Sequence, residues 1–187
     1  GAPVHVGGIN RGSDLVTSDI AYLFQLPKAA AESLKLTDGS CYSPGIDEND
    51  MMVTPALGGK PAIRMPRKEF AKVIEARMAE ILLMIQQDLQ DNQIQGPFGA
   101  GIVLVGRGAL MGGVTEWAAE IFRLPSRIGF PVAISGLDRT YIDPKYSTVL
   151  GLFKSEAKRY RDNNDISGVK EKKGFGSKVK SLFGKLF

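Results

Sequence analysis

Apolar residues recur at spacings of three and four after Pro66, and this pattern predicts the longest helix of the chain. Proline is tolerated at the first helical position, so we expect the helix to begin there and to fade at Asp91. Charged residues occupy the opposite face. The apolar stripe consists of Phe70, Val73, Ile74, Met78, Ile81, Leu82, Ile85 and Leu89.

Two shorter helices are predicted before this one. Thr17 or Ser18 is expected to cap a helix that stops at Pro27, because their hydroxyls accept hydrogen bonds from free backbone amides. A second helix is expected over residues 29–36. The turn-rich stretch that follows leaves room for one short strand at residues 51–54.

The order of patterns after the long helix indicates a βαβ unit. Residues 101–105 form a continuous apolar run between glycines, which is typical of a strand buried on both faces. A turn at residues 106–108, a helix over 114–123 and a second short strand at 126–129 follow. A strand, a helix and a strand in this order predict a parallel pair, and therefore an α/β fold.

The last helix of the body is predicted at residues 146–159, and polar residues without periodicity follow it. We interpret residues 159–172 as a flexible linker. The apolar residues expected to point inward from this helix are Val149, Leu150, Leu152 and Phe153.

The chain ends in a basic amphipathic segment at residues 173–187. At 100° per residue its apolar side chains fall within a sector of about 140°, and lysines flank that sector. Such a short segment is marginal as a free helix in water, so we expect it to fold on a surface. A membrane is favoured by the lysine density; docking on its own domain or on a calmodulin-like partner are the alternatives. The residues are Phe175, Val179, Leu182, Phe183, Leu186 and Phe187, with Lys178, Lys180 and Lys185.

Composition narrows the possible functions further. The 187 residues suffice for one domain or two small lobes, and a single cysteine and a single histidine exclude an internal disulfide and a histidine-based zinc site. Net charge is +4, but six of the 24 basic and one of the 20 acidic residues lie at 170–187. The first 169 residues thus hold 18 basic and 19 acidic side chains. A neutral body argues against nucleic-acid binding.

Several strings, in their order along the chain, resemble the FtsA family of bacterial cell-division proteins. With the amphipathic C-terminus, the resemblance runs from about Val4 to Phe187. The strings are residues 15–21 (LVTSDIA), 31–35 (AESLK), 73–81 (VIEARMAEI), 101–106 (GIVLVG) and 146–152 (YSTVLGL).

The resemblance implies the C-terminal half of an actin-like fold, as in the actin and Hsp70 ATPases. Subdomain 2A would comprise residues 1–27 and 97–158, with subdomain 2B inserted at 28–96 and binding FtsZ. The linker at 159–172 and a membrane-targeting helix at 173–187 would complete it. The chain starts at Gly1 without a basic and apolar leader, so we interpret this start as the cut edge of a longer protein.

The resemblance also implies a function. Members anchor FtsZ filaments to the cytoplasmic face of the membrane at the division site, contact anionic inner-membrane lipids, self-associate and bind ATP with Mg. The family's acidic phosphate turn is missing, so we expect no ATP hydrolysis by this chain alone. The alternatives are an ATPase half that acts with a missing partner half, or an actin- or Hsp70-like protein with another client.

The resemblance implies that ATP contacts Gly106, Arg107, Gly108, Glu32 and Lys35. The alternative readings are a plain tight turn for the glycines and an exposed ion pair for Glu32 and Lys35. Family members carry glycine or small residues where Arg107 stands. Its side chain either blocks the close approach of the nucleotide or reaches a phosphate.

The resemblance further implies that the FtsZ tail docks on the polar face of the long helix. Arg77 and Glu80 would make this contact, with Lys72 and Arg67 nearby, because a planar guanidinium donates two parallel hydrogen bonds to a carboxylate. The alternative is an ordinary solvated face. Asp19 is expected to be structural or a cap.

Overall fold

The computed structural model describes residues 3–56, 61–94, 96 and 98–166, with side chains up to Asp162. The chain divides into two compact units, residues 1–129 and residues 130–187. Within the described residues, the first unit contains four α-helices, two short 3-10 helices and four short strands, and the second contains one α-helix and two short 3-10 helices. The predicted subdomain boundaries at residues 28 and 97 stay a prediction.

The elements follow one another in an α/β order. The helices are α1 (Ser13–Leu23), α2 (Lys28–Asp38), α3 (Arg67–Asp91), α4 (Val114–Phe122) and α5 (Ser147–Ile166). The strands are β1 (Met51–Val53), β2 (Arg64–Pro66), β3 (Ile102–Leu104) and β4 (Ser126–Ile128). Pro66 ends β2 and precedes α3, so the long helix begins one residue later than predicted.

The strands form two small sheets. β1 and β2 pair antiparallel, whereas β3 and β4 pair in parallel with Val103 opposite Arg127. The parallel pair joined through α4 confirms the predicted βαβ unit. The prediction that β3 is buried on both faces was wrong, because Val103 is 40% exposed. Among the described residues β4 is the only strand paired with β3, so the other edge of β3 has no strand partner there.

The core of the first unit lies where α1, α2 and α3 meet. Phe70 and Ile74 of α3 are fully buried, and the ring of Phe24 packs on Phe70 with the ring centroids 5.5 Å apart. The stripe predicted for α3 is therefore confirmed in its first half. It fails at Ile85, which is 37% exposed. The core comprises Val16, Ile20, Ala31, Leu34, Cys41, Met52, Phe70, Ile74, Met78 and Val114.

The start of α1 differs from the prediction. The helix begins at Ser13 after Gly12, four residues before Thr17, so neither Thr17 nor Ser18 caps it. Thr17 is instead buried inside the helix. Its hydroxyl is hydrogen-bonded to side chains of α2, and such long-range partners override the local capping preference of threonine.

The helix of the second unit is longer than predicted. The expected end near Arg159 was wrong, because α5 continues to Ile166 into the stretch interpreted as linker. None of residues 160–167 is glycine or proline, so no helix breaker follows the predicted end at Arg159 before Gly168. Leu150 is buried as expected, whereas Val149 and Leu152 are 49% and 64% exposed and do not point inward.

Candidate functional site

A polar cavity of about 270 Å³ lies between α1 and α2 in the first unit. Each helix contributes side chains to it, because their packing turns one polar face of each helix toward the other. The lining residues are Ser13, Asp14 and Thr17 from α1, and Lys28, Ala29, Glu32 and Lys35 from α2.

Lys35 is the most buried charged group of this cavity, with 6% of its surface exposed. Its Nζ donates to Thr17 Oγ1 at 2.7 Å and to the Ser13 carbonyl at 3.2 Å, and lies 2.6 Å from Glu32 Oε2. A buried ammonium is tolerated only with such partners. The alternative reading of Glu32 and Lys35 as an exposed ion pair is therefore wrong for the lysine.

Glu32 is held from two sides. Its Oε2 accepts a hydrogen bond from Thr17 Oγ1 at 2.5 Å in addition to the contact with Lys35. Hydrogen bonds from Lys35 and then from Thr17 lower the pKa of the Glu32 carboxyl, and the charge of Arg107 adds to the effect. The carboxylate is therefore fully ionised at neutral pH, and it is a fixed acceptor for ligand hydroxyls.

The glycine turn follows the carboxyl end of β3, where α/β folds commonly hold ligands. Gly106 has a φ of +87°, a conformation that favours glycine, and a single 3-10 turn at Arg107–Leu110 follows it. Beyond the turn, the Cys41 amide donates to the Gly112 carbonyl at 2.8 Å. This contact ties the turn to the chain just after α2.

The structure therefore places Glu32 and Lys35 in one cavity, whereas the turn that carries Gly106, Arg107 and Gly108 is not among the residues that line it. Sequence reasoning missed Thr17 and Ser13, which hold the buried lysine. No local signal would have found them, because Thr17 lies 18 residues from Lys35 in another helix.

Cys41 is not part of the chemistry of this cavity. The thiol is fully buried, and burial raises its pKa to about 12. It is therefore protonated at neutral pH and is no nucleophile.

The guanidinium of Arg77 on α3 binds the carboxylate of Asp19 on α1 through two hydrogen bonds. Its Nε donates to Asp19 Oδ2 at 2.7 Å and its Nη2 donates to Asp19 Oδ1 at 3.0 Å, while Nη1 pairs with Glu80. Hydrogen bonding to Asp19 is the main reason that the pKa of Arg77 is raised. The guanidinium thus already holds two carboxylates, and Asp19 is structural, as predicted.

Lys72 and Arg67 do not join Arg77. Lys72 precedes Arg77 by five residues, which is about 140° around the helix, and its Nζ pairs with Glu69 at 2.7 Å. Arg67 lies about 15 Å from Arg77 along the axis. Its guanidinium is bound to Asp50 Oδ2 at 3.1 Å and to the Asp38 carbonyl at 3.0 Å, which anchors the start of α3.

The amphipathic segment at 173–187 lies outside the residues that the structure describes. Its apolar and lysine positions therefore stay a prediction from the sequence. Within the described part of the chain, no helix has both the length and the hydropathy needed to cross a bilayer.

Comparison with known proteins identifies the family. The family model for cell division protein FtsA matches residues 1–151. The chain belongs to the FtsA family. FtsA of Borreliella burgdorferi is 36% identical over 188 residues, covering 98% of this chain and 45% of the relative. FtsA of Escherichia coli is 35% identical over 159 residues, covering 81% and 38%. The chain thus spans less than half the length of these FtsA relatives.

Solved structures confirm the actin-like α/β fold expected for an FtsA chain. MreB5 of Spiroplasma citri, solved bound to ADP, superposes with a TM-score of 0.60 and 17% identity. The match covers 83% of this chain and 47% of MreB5. A second MreB5 structure, bound to AMPPNP, matches with a TM-score of 0.58.

Proposed function

We propose that this chain acts in a cell-division adaptor that anchors FtsZ filaments to the cytoplasmic face of the bacterial membrane at the division site. The observation that carries the proposal is the basic amphipathic segment at 173–187, at the end of a chain that belongs to a cell-division family. Three phenylalanines and three aliphatic residues would enter the lipid headgroup layer. The lysines around them would face anionic lipids.

The magnitudes support attachment by two combined forces. Six lysines less one glutamate at residues 170–187 give at most about 5 kcal/mol of attraction to anionic lipids. Each buried apolar side chain adds about 1.5–3 kcal/mol, less the free energy of ordering the helix and of partial insertion. Neither force alone gives lasting attachment, so binding is expected to require both an acidic surface and an intact apolar face.

Vesicle co-sedimentation tests the anchor. The intact chain is expected to pellet with phosphatidylglycerol vesicles and to stay in solution with phosphatidylcholine vesicles. A chain that ends at Gly174 should stay in solution with both. Leu186→Asp places a charge at the centre of the apolar sector and should abolish pelleting. Ser181→Asp adds the same charge on the opposite face and should retain most of it; equal loss in both variants would contradict the orientation of the segment.

We propose that Arg77 and Glu80 contact the acidic tail of FtsZ. The support is a partly exposed guanidinium on the polar face of α3 that already binds carboxylates with a fork geometry. Pull-down with an FtsZ tail peptide should succeed with the intact chain and fail with Arg77→Glu. Arg127→Glu on β4 makes the same change of charge elsewhere and should leave capture intact. Capture that survives Arg77→Glu would favour another site or another client.

Nucleotide binding is a second candidate function, favoured by the cavity between α1 and α2. Glu32, which is 39% exposed, offers an ionised acceptor for the sugar or base of ATP. The three N–H donors of Lys35 are used by Thr17, Ser13 and Glu32, so Lys35 positions Glu32 rather than contacting the ligand. The cavity of about 270 Å³ is slightly below the usual range for ligand pockets of 300–1,000 Å³, so it suits one end of a nucleotide. The nucleotide itself would supply the phosphoanhydride bond.

Among the described residues, no group of three His, Cys, Asp or Glu side chains is arranged to hold a metal ion. We assign this chain the sugar and base end of the nucleotide site. We also propose that the chain takes part in self-association into filaments, and this part of the proposal rests only on its membership of the FtsA family. Titration of the intact chain with a fluorescent ATP analogue tests this candidate, and absence of saturable binding would exclude it for this chain.

A further inference from the structure

We infer that Arg11 is a further binding residue for the acidic peptide at the Arg77 site, and that the segment at residues 5–11 holds it there. We call this segment the strap. The inference rests on the proposed contact between α3 and the acidic tail of FtsZ. It adds to that contact a second arginine and the backbone that positions it.

The strap lies along the face of α3 that carries Arg77. At 100° per residue, Arg77, Glu80 and Asp88 fall within a sector of about 80°. At one end of the strap, His5 Nε2 lies 2.8 Å from Asp88 Oδ2. At the other end, Arg11 Nε lies 3.8 Å from Glu80 Oε1. The two carboxylates are about 12 Å apart along the helix axis, a distance that the strap spans in extended form.

A glycine allows the strap to lie this close to α3. A side-chain carbon at Gly7 would collide with Asp88 Oδ2 and come within 2.9 Å of His5 Nε2, so a larger residue would force these two side chains apart. At Gly8 the same added carbon would meet no atom within 4 Å outside the neighbouring residues. The contact between His5 and Asp88 therefore requires glycine at position 7 and not at position 8.

The guanidinium of Arg11 is more available to a ligand than that of Arg77. Each nitrogen of the Arg77 guanidinium already donates to a carboxylate, either of Asp19 or of Glu80. Within the described residues, the Arg11 guanidinium donates to the Asn10 carbonyl at 3.0 Å and otherwise contacts Glu80 alone. Its side chain is 43% exposed, against 26% for Arg77. Most N–H donors of Arg11 are thus open to a carboxylate of a bound peptide.

The charge balance at this face also favours a role for Arg11. Without it, the carboxylates of Asp19 and Glu80 would face the single guanidinium of Arg77. Such a cluster has a net negative charge and repels an acidic peptide. Arg11 compensates Glu80 and makes the cluster neutral. We therefore assign Arg11 the role of donor to a peptide carboxylate, and the strap the role of positioning it.

Fluorescence anisotropy of a labelled FtsZ tail peptide, titrated with the intact chain, tests the role of Arg11. Arg11→Ala should weaken peptide binding about tenfold, the effect typical of losing one charge-assisted contact that is partly exposed to solvent. Arg64→Ala removes an exposed charge from β2 and should bind as the unaltered chain does. A peptide whose acidic residues are replaced by their amides should bind weakly, and equally to the unaltered chain and to Arg11→Ala.

Two glycine variants test the strap. Gly7→Ala should weaken peptide binding because it separates His5 from Asp88, whereas Gly8→Ala should not. Because Gly7→Ala acts through Arg11, adding it to Arg11→Ala should cause no further loss of affinity, which a merely structural role would not predict. The urea midpoint should stay the same in these variants, since none of the altered residues belongs to the core.

Three results would overturn the inference. If Arg11→Ala binds the peptide as tightly as the unaltered chain while Arg77→Glu does not, the peptide site stands and Arg11 has no part in it. Equal affinities of Gly7→Ala and Gly8→Ala would show that the strap does not position Arg11. If the unaltered chain itself does not bind the peptide, the proposed contact with FtsZ fails and the inference fails with it.

Discussion

The contact between Arg77 and Asp19 is expected to hold α1 against α3, and Asp19→Asn tests it. Asparagine keeps the size of the side chain but removes its charge and one of its two acceptor oxygens. The two-pronged contact at 2.7 and 3.0 Å would thus be reduced to one weaker hydrogen bond. Arg77 would then rely on Glu80 alone.

The expected loss follows from the geometry and the burial. Hydrogen bonds to charged groups contribute about 1.5–3 kcal/mol each in folded proteins. The side chains of Arg77 and Asp19 are 26% and 29% exposed, so solvent weakens the contact, and Glu80 still compensates the guanidinium. We therefore expect the free energy of unfolding to fall by about 1–2 kcal/mol.

Urea denaturation followed by the fluorescence of Trp117 measures this loss. Trp117 is the single tryptophan of the chain and packs against the core of the first unit. With an m-value of about 2 kcal/mol/M, the urea midpoint should fall by about 0.5–1 M. Asp14→Asn is the matched control, because its partner Lys28 and Asp14 itself are 59% and 76% exposed. An exposed pair of this kind contributes little.

Equal urea midpoints for Asp19→Asn and Asp14→Asn would refute the reasoning. The ion pair of Arg77 and Asp19 would then contribute no more to stability than an exposed surface pair. A double-mutant cycle with Arg77→Gln isolates the coupling between the two side chains. The FtsZ tail peptide gives a second readout. If Arg77 binds the peptide, Asp19→Asn should increase capture while it lowers stability, because an internal competitor for the guanidinium is weakened.

Three further outcomes are expected. The lowered pKa of Glu32 means that its contribution to stability is complete above its ordinary pKa of 4.5 and is lost as the pH falls below that value, so Glu32→Gln should flatten acid denaturation in this range. Cys41 should resist a thiol reagent at pH 8 in the folded chain and react in urea, and fast labelling of the native chain would contradict its burial. Phe70→Ala should cost about 3–5 kcal/mol, whereas Leu83→Ala on the same helix, 51% exposed, should cost far less in the same urea titration.

Local patterns predicted the elements whose signals lie within a few residues. The βαβ unit followed from one apolar run, one glycine turn and one helix. The strand β2 was missed because its residues Arg64, Met65 and Pro66 form no apolar run, and Pro66 is interpreted as the start of the long helix. The predicted end of α5 lies too early, because polar residues without periodicity are typical of a linker, although none of residues 160–166 is glycine or proline.

The candidate sites depend on contacts that local patterns do not encode. Glu32 and Lys35 were visible as a pair three residues apart, but the burial of Lys35 depends on α1, through the hydroxyl of Thr17. The partner of Arg77 lies 58 residues away, and Asp19 carried no signal stronger than that of a capping residue. In the sequence, a charged residue that becomes buried looks the same as one that stays exposed. Only the packing of the helices distinguishes the two.

Both candidate sites depend on the same helix. α1 presents Thr17 to Lys35 and Asp19 to Arg77, two residues and therefore about 200° apart, on opposite faces. Its position is thus set by polar contacts to α2 on one side and to α3 on the other, with Val16 and Ile20 buried in the core. A charge removed from either face leaves the contacts of the other face and the apolar core in place. Asp19→Asn is therefore expected to lower stability without unfolding the first unit, which makes its effect on peptide binding measurable.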